Sequence, residues 1–313
     1  MATTSNPVKI GLVGLGKIAV DQHIPAIRNN PALELVAGCS PQTRPDGLPG
    51  YDDMQAMLAA HPEIAALAIC TPPQVRHRLA MEALAAGRHV FLEKPPAATL
   101  GEAESLRARA AEKGVTLLAS WHSRFAPAVS AARAWVAARK ISNISVMWKE
   151  NVRQWHPGQK WIFAPGGMGV FDPGINGLSI LTRIVPDAVI VKKADLHFPA
   201  NCDAPIEVQM DLQTESGVPV RAEFNFLQEN QQTWSIVVEA EDGGKLALHL
   251  GGTELEIDGR QVLKEPEHEY PGLYAHFHQL IASGQSDADF APLRIVADAF
   301  MVGKRIAAPD YIE

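Results

Sequence analysis

The sequence predicts an α/β chain in parts: a doubly wound parallel sheet over 1–122, an α+β domain with a large, mostly antiparallel open sheet over 123–289, and a closing segment, 290–313, that packs back on the first. Two observations carry this. Through residue 120 or so, short apolar runs alternate with alanine-rich amphipathic stretches, the pattern of strands and crossover helices in a parallel sheet. From about Val146 the texture changes to longer runs of period-two alternation with hairpin punctuation, which reads as antiparallel.

In the first part the apolar runs are 8–13, 33–39, 64–69, 89–92 and 115–119, with helices expected over 17–29, 53–60, 74–86 and 100–113. Gly87 and Gly114 stand where C-terminal caps belong, because glycine takes the left-handed conformation without strain. In the second part strands are expected over 144–149, 206–213, 218–226, 235–240, 245–249 and 254–257, separated by Ser216-Gly217, Asp242-Gly243-Gly244 and Asp258-Gly259. One helix over 169–184 packs on this sheet, and a helical pair over 274–282 and 292–307 closes the chain. A sheet covered by helices on one face leaves the other to bury, so a homo-oligomer, dimer or tetramer, through that sheet is expected.

The chain has 313 residues, 47% apolar and 20% charged, enough for two cores of ordinary globular composition. Its net charge of −7 argues against nucleic acid or an anionic membrane surface as partner. Cys39, Cys70 and Cys202 are too few and scattered for a disulfide framework or a zinc site; His276 and His278, two apart on a helix, diverge, so no metal is expected. Residues 1–7 are polar and lack a secretion pattern, and no apolar run approaches the roughly 20 residues that span a bilayer. The reading is a soluble, cytoplasmic protein.

Gly14-x-Gly16-x-x-Ala19 follows the first strand and opens a helix. Gly14 permits the tight turn, Gly16 lets the backbone approach a pyrophosphate, and Ala19 allows close helix–strand packing. This is the dinucleotide-binding arrangement of a Rossmann sheet. The second strand ends Gly38-Cys39-Ser40-Pro41, without the carboxylate that would repel a 2′-phosphate, and Arg44 is close enough to pair with one. The cofactor expected is NADP or NAD, with dual use open. Cys70-Thr71-Pro72-Pro73 forms a rigid exit loop that can lie against a ribose or ring.

Glu93-Lys94-Pro95 ends a later strand, at the sheet edge where doubly wound folds bind ligands. A lysine there serves proton transfer once its pKa is lowered by desolvation or neighbouring charge. In Gly166-Gly167-Met168-Gly169-Val170-Phe171-Asp172-Pro173-Gly174-Ile175-Asn176, Asp172 and Asn176 are four apart and share a helix face. Glu150, Arg153, Trp155, His156 and Trp161 crowd into a dozen residues, with Trp121-His122 elsewhere. Aromatic faces beside carboxylate and imidazole groups suit a polyol, stacking its apolar ring face and reading its hydroxyls.

These motifs together resemble the Gfo/Idh/MocA oxidoreductases over nearly the whole chain, Glu93-Lys94-Pro95 being the most specific mark. Gly16-Lys17-Ile18-Ala19-Val20-Asp21-Gln22-His23, Trp121-His122-Ser123-Arg124, Trp148-Lys149-Glu150, Trp155-His156-Pro157-Gly158-Gln159 and Phe171–Asn176 are similar to the aldose 1-dehydrogenase branch, which acts on L-arabinose, D-galactose and D-fucose. The resemblance implies oxidation of a pyranose at its anomeric carbon to a lactone. Lys94 and Asp172 are its expected catalytic pair, with His122, Glu150, Trp155, His156 and Asn176 also on the substrate. Gly14, Gly16, Lys17, Ile18, Ser40, Thr71, Pro72, Pro73, His77, Glu93 and Lys94 are expected on the cofactor. Many family members carry His four residues after the Asp; Asn176 stands there in this chain, which moves proton transfer toward Lys94. Pro41 replaces an Arg that would help hold a 2′-phosphate in the arabinose enzymes. The alternatives are a dehydrogenase of another polyol, such as an inositol or a diol, and a non-catalytic regulator that senses a sugar or nucleotide.

Overall fold

The computed structural model describes residues 6–41, 43, 44 and 47–313. The reading of 1–7 as free of a leader falls mostly outside the described residues. The first elements in chain order are β1 (Val8–Val13), a π-turn (Ala19–His23) continuing into α1 (Ile24–Arg28), β2 (Leu33–Cys39), β3 (Gly50–Tyr51), α2 (Met54–Ala60), β4 (Ala66–Ile69), α3 (Pro73–Ala85), β5 (His89–Leu92), α4 (Leu100–Lys113) and β6 (Leu117–Ala119). Then follow α5 (Val129–Ala137), β7 (Ile141–Lys149), α6 (Val152–Trp155), α7 (Phe171–Ile184), β8 (Val189–Pro199), β9 (Glu207–Thr214), β10 (Pro219–Asn225), β11 (Thr233–Ala240), β12 (Lys245–His249), β13 (Glu254–Ile257), β14 (Arg260–Lys264), α8 (Glu269–Ser283), α9 (Ala291–Val302) and β15 (Lys304–Ala308).

The chain divides into two units, one of residues up to Ser120 with Tyr270–Phe290, the other of Trp121–Glu269 with Ala291–Glu313. In the first, six parallel strands run in the order β3-β2-β1-β4-β5-β6. The order reverses between β1 and β4, so the loops leaving their carboxyl ends diverge and open a crevice. The helix after β1 passes through a π-turn because Pro25 has no N–H to donate to the preceding turn; the Ile24 N–H bonds Ala19 O instead. Asp53 caps α2 by accepting from Ala56 N at 2.8 Å, Thr99 caps α4 from Glu102 N at 3.2 Å, and Gly114 ends α4 at φ +63°.

The helix expected at 274–282 is α8, and it belongs to this first unit. Tyr274 stacks on Phe91 of β5 at 4.9 Å between centroids and Phe277 meets the same ring edge-on at 5.6 Å. The expected partition, with 123–289 in one domain and 290–313 packing back, is corrected by these contacts: Tyr270–Phe290 belongs to the first unit and Ala291–Glu313 to the second.

The second unit holds nine strands in the order β14-β13-β12-β11-β7-β10-β9-β8-β15, antiparallel except for the β7–β10 and β8–β15 pairs. Glycines let α7 lie close on it. A Cβ on Gly174 would stand 2.6 Å from the Phe224 ring, and one on Gly177 2.8 Å from Trp148. The glycine run therefore serves packing as well as the expected turn. The outward positions of the sheet carry Lys149, Lys193, Asp195, Asp211, Arg221 and Glu223, cross-linked by Lys149–Glu223 at 2.8 Å and Lys193–Asp195 at 2.9 Å. On β8 to β10 that face is largely charged, whereas on the central strands β7 and β11 it presents Ser145, Met147 and Val237.

The end of the chain also departs from expectation. The stretch 292–307 is a helix that ends at Val302, followed by a strand from Lys304, and at the junction a Cβ on Gly303 would come within 2.3 Å of Ala299 O. β8 escaped the sequence pattern because its alternation slips at a register shift between Val191 and Lys193.

Gly174→Val should lower stability by about 2 kcal/mol, since the added methyls must displace the Phe224 ring from a filled core. Urea denaturation measured against the unaltered protein checks this.

Candidate active site

The crevice at the reversal of strand order is a cleft of about 710 Å³ lined by Gly14, Leu15, Gly16, Ser40, Asp52, Asp53, Thr71, Pro72 and others of the same unit. Gly14 sits at φ +87°, and a Cβ there would come within 2.9 Å of the Thr71 backbone N. A Cβ on Gly16 would meet nothing within 4 Å, so the space above Gly16 is not filled by protein. Thr71 Oγ1 is buried with no hydrogen-bond partner among the described residues. A backbone kept bare over open space and a waiting hydroxyl both fit a dinucleotide's pyrophosphate and ribose.

Ser40 lies at the cleft, and Arg44 is folded on its own loop, donating to Ser40 O and to Thr43 O at 3.0 Å, and paired with the Asp52 carboxylate. Its charge is thus already countered. Burial, with the Asp53 carboxylate, pushes the Cys39 thiol up to about 12, which keeps it an inert packing group.

The other residues expected on the cofactor have the following surroundings. Lys17 pairs with Asp21 on the surface, and Ile18 is exposed beside it. Pro73 is buried at the start of α3. His77 Nε2 bonds Ser105 Oγ at 2.8 Å, tying α3 to α4 rather than facing the cleft. The Glu93 carboxylate is turned into the core: Oε1 accepts from Tyr270 Oη at 2.5 Å and faces His23 Nε2 at 3.2 Å, while Oε2 accepts from the Lys94 N–H at 2.5 Å. His23 Nδ1 is 2.7 Å from Tyr274 Oη. Burial alone would lower the His23 pKa, but Cys70 and Glu93 outweigh it and raise it to about 9, and both ring nitrogens have buried partners. The buried Arg76 guanidinium donates to Glu93 O at 2.5 Å, to Pro95 O and to Thr71 O. The Lys94–Pro95 peptide is cis.

In the second unit, Glu150 follows β7 directly and is only 2% exposed, its Oε1 at 2.9 Å from His156 Nε2 and its Oε2 accepting from Trp234 Nε1 at 2.8 Å. Trp155 packs on Trp234 at 4.9 Å between centroids, and Trp234 stacks on Trp148. The structure therefore brings Glu150, Trp155 and His156 together and adds Trp234, which sequence spacing missed because it comes from β11. Arg153 leaves this group: it donates to Ile312 O and lies over the Tyr311 ring. Asp172 is buried in the first turn of α7, where the helix dipole favours a carboxylate, and Asn176 alone among residues 171–181 is partly exposed. His122 is engaged with Glu269; burial and the neighbouring Glu269 carboxylate raise the Glu267 pKa. Among the described residues no group of three or more His, Cys, Asp or Glu is arranged to hold a metal, and no helix is long and apolar enough to cross a membrane.

The sequence pattern of the Gfo/Idh/MocA proteins, described as an oxidoreductase family with an NAD-binding Rossmann fold, matches residues 8–120. A galactose 1-dehydrogenase from Pseudomonas fluorescens is 44% identical over 308 residues, which cover 98% of this chain and 99% of that one. The chain belongs to the Gfo/Idh/MocA oxidoreductases. A D-galactose-1-dehydrogenase of known structure from Rhizobium etli is similar to this family member at 49% identity and a TM-score of 0.94, covering 99% of each chain. A 3-ketoreductase from Actinomadura kijaniata, solved with NADP and TDP-benzene, shares the fold at 21% identity and a TM-score of 0.83, over 97% of this chain and 100% of that one.

Two outcomes follow for this oxidoreductase. Gly16→Val should leave thermal stability unchanged, since its Cβ meets no protein atom, yet abolish nicotinamide-cofactor binding in a fluorescence titration. Because the folded His23 pKa lies above its usual 6.5, its stabilising contribution is complete below pH 6.5 and lost as pH rises through about 9. Melting temperatures between pH 6 and 10 should fall over that window, and His23→Gln should flatten the fall.

Proposed function

We propose that this family member is an NAD(P)+-dependent aldose 1-dehydrogenase that oxidises D-galactose, and the similarly configured L-arabinose and D-fucose, to the lactone. The observation that carries the reading is the likeness to two galactose 1-dehydrogenases along essentially the whole chain, so that both units take part in it. The Glu150–His156–Trp234 group with Trp155 supports a sugar ligand: a fixed carboxylate, an imidazole and indole faces are what a pyranose requires.

Lys94 is the proton-transfer group. Its amine accepts the proton of the C1 hydroxyl while the C1–H bond breaks with its electron pair and the C1–O bond becomes a carbonyl. Bound nicotinamide supplies the hydride acceptor. Asp172, buried in the first turn of α7, is the second residue assigned a catalytic role on the family resemblance. Glu150, Trp155, His156 and Asn176 read the ring hydroxyls, with His122 held by Glu269 as a further donor. L-Arabinose and D-galactose share the ring configuration at C2 to C4 and differ by the CH2OH on C5, so hydroxyl-reading contacts serve both and pocket room decides between them. The residues suited to a cofactor are Gly14, Gly16, Ser40, Thr71 and Pro72, all at the cleft. NAD+ would leave the Arg44–Asp52 pair intact, whereas the 2′-phosphate of NADP+ would have to compete with Asp52 for Arg44; dual use with NAD+ ahead is the reading. The outer face of the large sheet is the surface proposed for a homo-oligomer, held by crossed ion pairs.

Initial rates with NAD+ and NADP+ against L-arabinose, D-galactose, D-fucose, D-xylose, D-glucose and myo-inositol test the reading. Turnover confined to the galacto-configured sugars is expected; turnover on myo-inositol alone, or none at all with cofactor bound, overturns it. Lys94→Met should lower kcat by about 10³-fold or more with cofactor affinity retained.

A further inference from the structure

We propose that His23, Glu93, Tyr270 and Tyr274, together with Arg76, form a buried clamp that positions the Lys94 amine; the inference rests on the reading of Lys94 as the proton-transfer group. Lys94 is the second residue beyond β5, where a strand has ended and its hydrogen-bond ladder no longer fixes the backbone. Its N–H is held instead by Glu93 Oε2 at 2.5 Å. The carbonyls on either side of it, Glu93 O and Pro95 O, both accept from Arg76.

The holding carboxylate is 3% exposed, and a buried carboxylate stays ionised and fixed only when donors surround it. Tyr270 and His23 fill that need at Glu93 Oε1, and Tyr274 holds the second nitrogen of His23. Phe91, Tyr270 and Tyr274 wall in the His23 ring, so it has no alternative orientation. Each donor comes from an element with a second task. His23 ends the π-turn that follows the glycine turn, and Arg76, from α3, also holds Thr71 O in the cleft. The clamp thus ties the two cofactor loops to the lysine loop, so that an amine placed by it is placed relative to whatever Gly14, Gly16 and Thr71 hold. These are positioning residues, acting on Lys94 through its backbone.

A merely structural role would lower stability and leave the turnover of each folded molecule alone; a positioning role moves kcat. The full chain carrying Tyr270→Phe, His23→Leu or His23→Gln is assayed at saturating NAD+ with D-galactose, with the folded fraction counted by NAD+ binding. Tyr270→Phe and His23→Leu are expected to lower kcat by about 10- to 100-fold, with the KM for NAD+ within about twofold. His23→Gln, which keeps a donor toward Glu93, should recover part of the loss. Unchanged kcat in folded Tyr270→Phe and His23→Leu overturns the clamp. Lys94→Met is run beside them: its retention of turnover removes the lysine reading itself, a different failure. A second readout needs no turnover. Trace acetylation of the Lys94 amine by acetic anhydride, followed by peptide mass at one pH, should proceed at a different rate in Tyr270→Phe, and an identical rate overturns the positioning role.

Discussion

A single carboxylate, that of Glu93, organises the first unit. Burying it next to the end of β5 obliges the chain to bring donors to it, and they come from 70 residues upstream and 177 downstream. The helix carrying Tyr270 and Tyr274 is drawn into the nucleotide-binding unit by that need, although the chain has by then traversed eight of the nine strands of the larger sheet. The surrounding aromatic packing of Phe91, Tyr274 and Phe277 supplies apolar burial around the charge. Polar satisfaction and core formation are here one arrangement, not two.

In the second unit the ruling constraint is distance of approach. Gly174 and Gly177 let α7 settle on Phe224 and Trp148, which sets the height of Asp172 and Asn176 above the sheet. The two tryptophans of the adjacent β7 and β11 stack, and the outer of them fixes Glu150. The Glu150 carboxylate, one residue past β7, is thus held by an indole on β11, an element rigid enough to hold direction.

Most of the architecture was legible in the sequence because its periodicities are local. The runs at 8–13, 33–39, 89–92, 245–249 and 254–257 became strands with those limits, and 100–113 became α4. What escaped was set by tertiary contact: β8, whose alternation slips at a bulge; β15, an alanine-rich tail that pairs with β8; and β3, only two residues long. The site shows the same division. Gly14, Gly16, Ser40, Thr71 and Pro72 line the cleft as their motifs foretold, because a glycine turn and a strand exit carry their own geometry. His77 and the Glu93 carboxylate turned elsewhere, and His23, Arg76, Tyr270 and Trp234 gave no signal, because their meaning lies in partners distant along the chain. The segment from Gly16 to His23 did carry His23 as a family resemblance, but nothing local assigned it a task.

The membership of α8 in the first unit bears on how such chains diversify. The backbone passes between the two units three times, after Ser120, after Glu269 and after Phe290. A recombination event that kept residues 8–120 and exchanged everything after them would discard the tyrosines that ground the Glu93 charge. The unit of inheritance for this nucleotide site is therefore discontinuous: a new substrate domain has to be inserted between Ser120 and Tyr270, leaving the later helix in place, and cannot simply be appended.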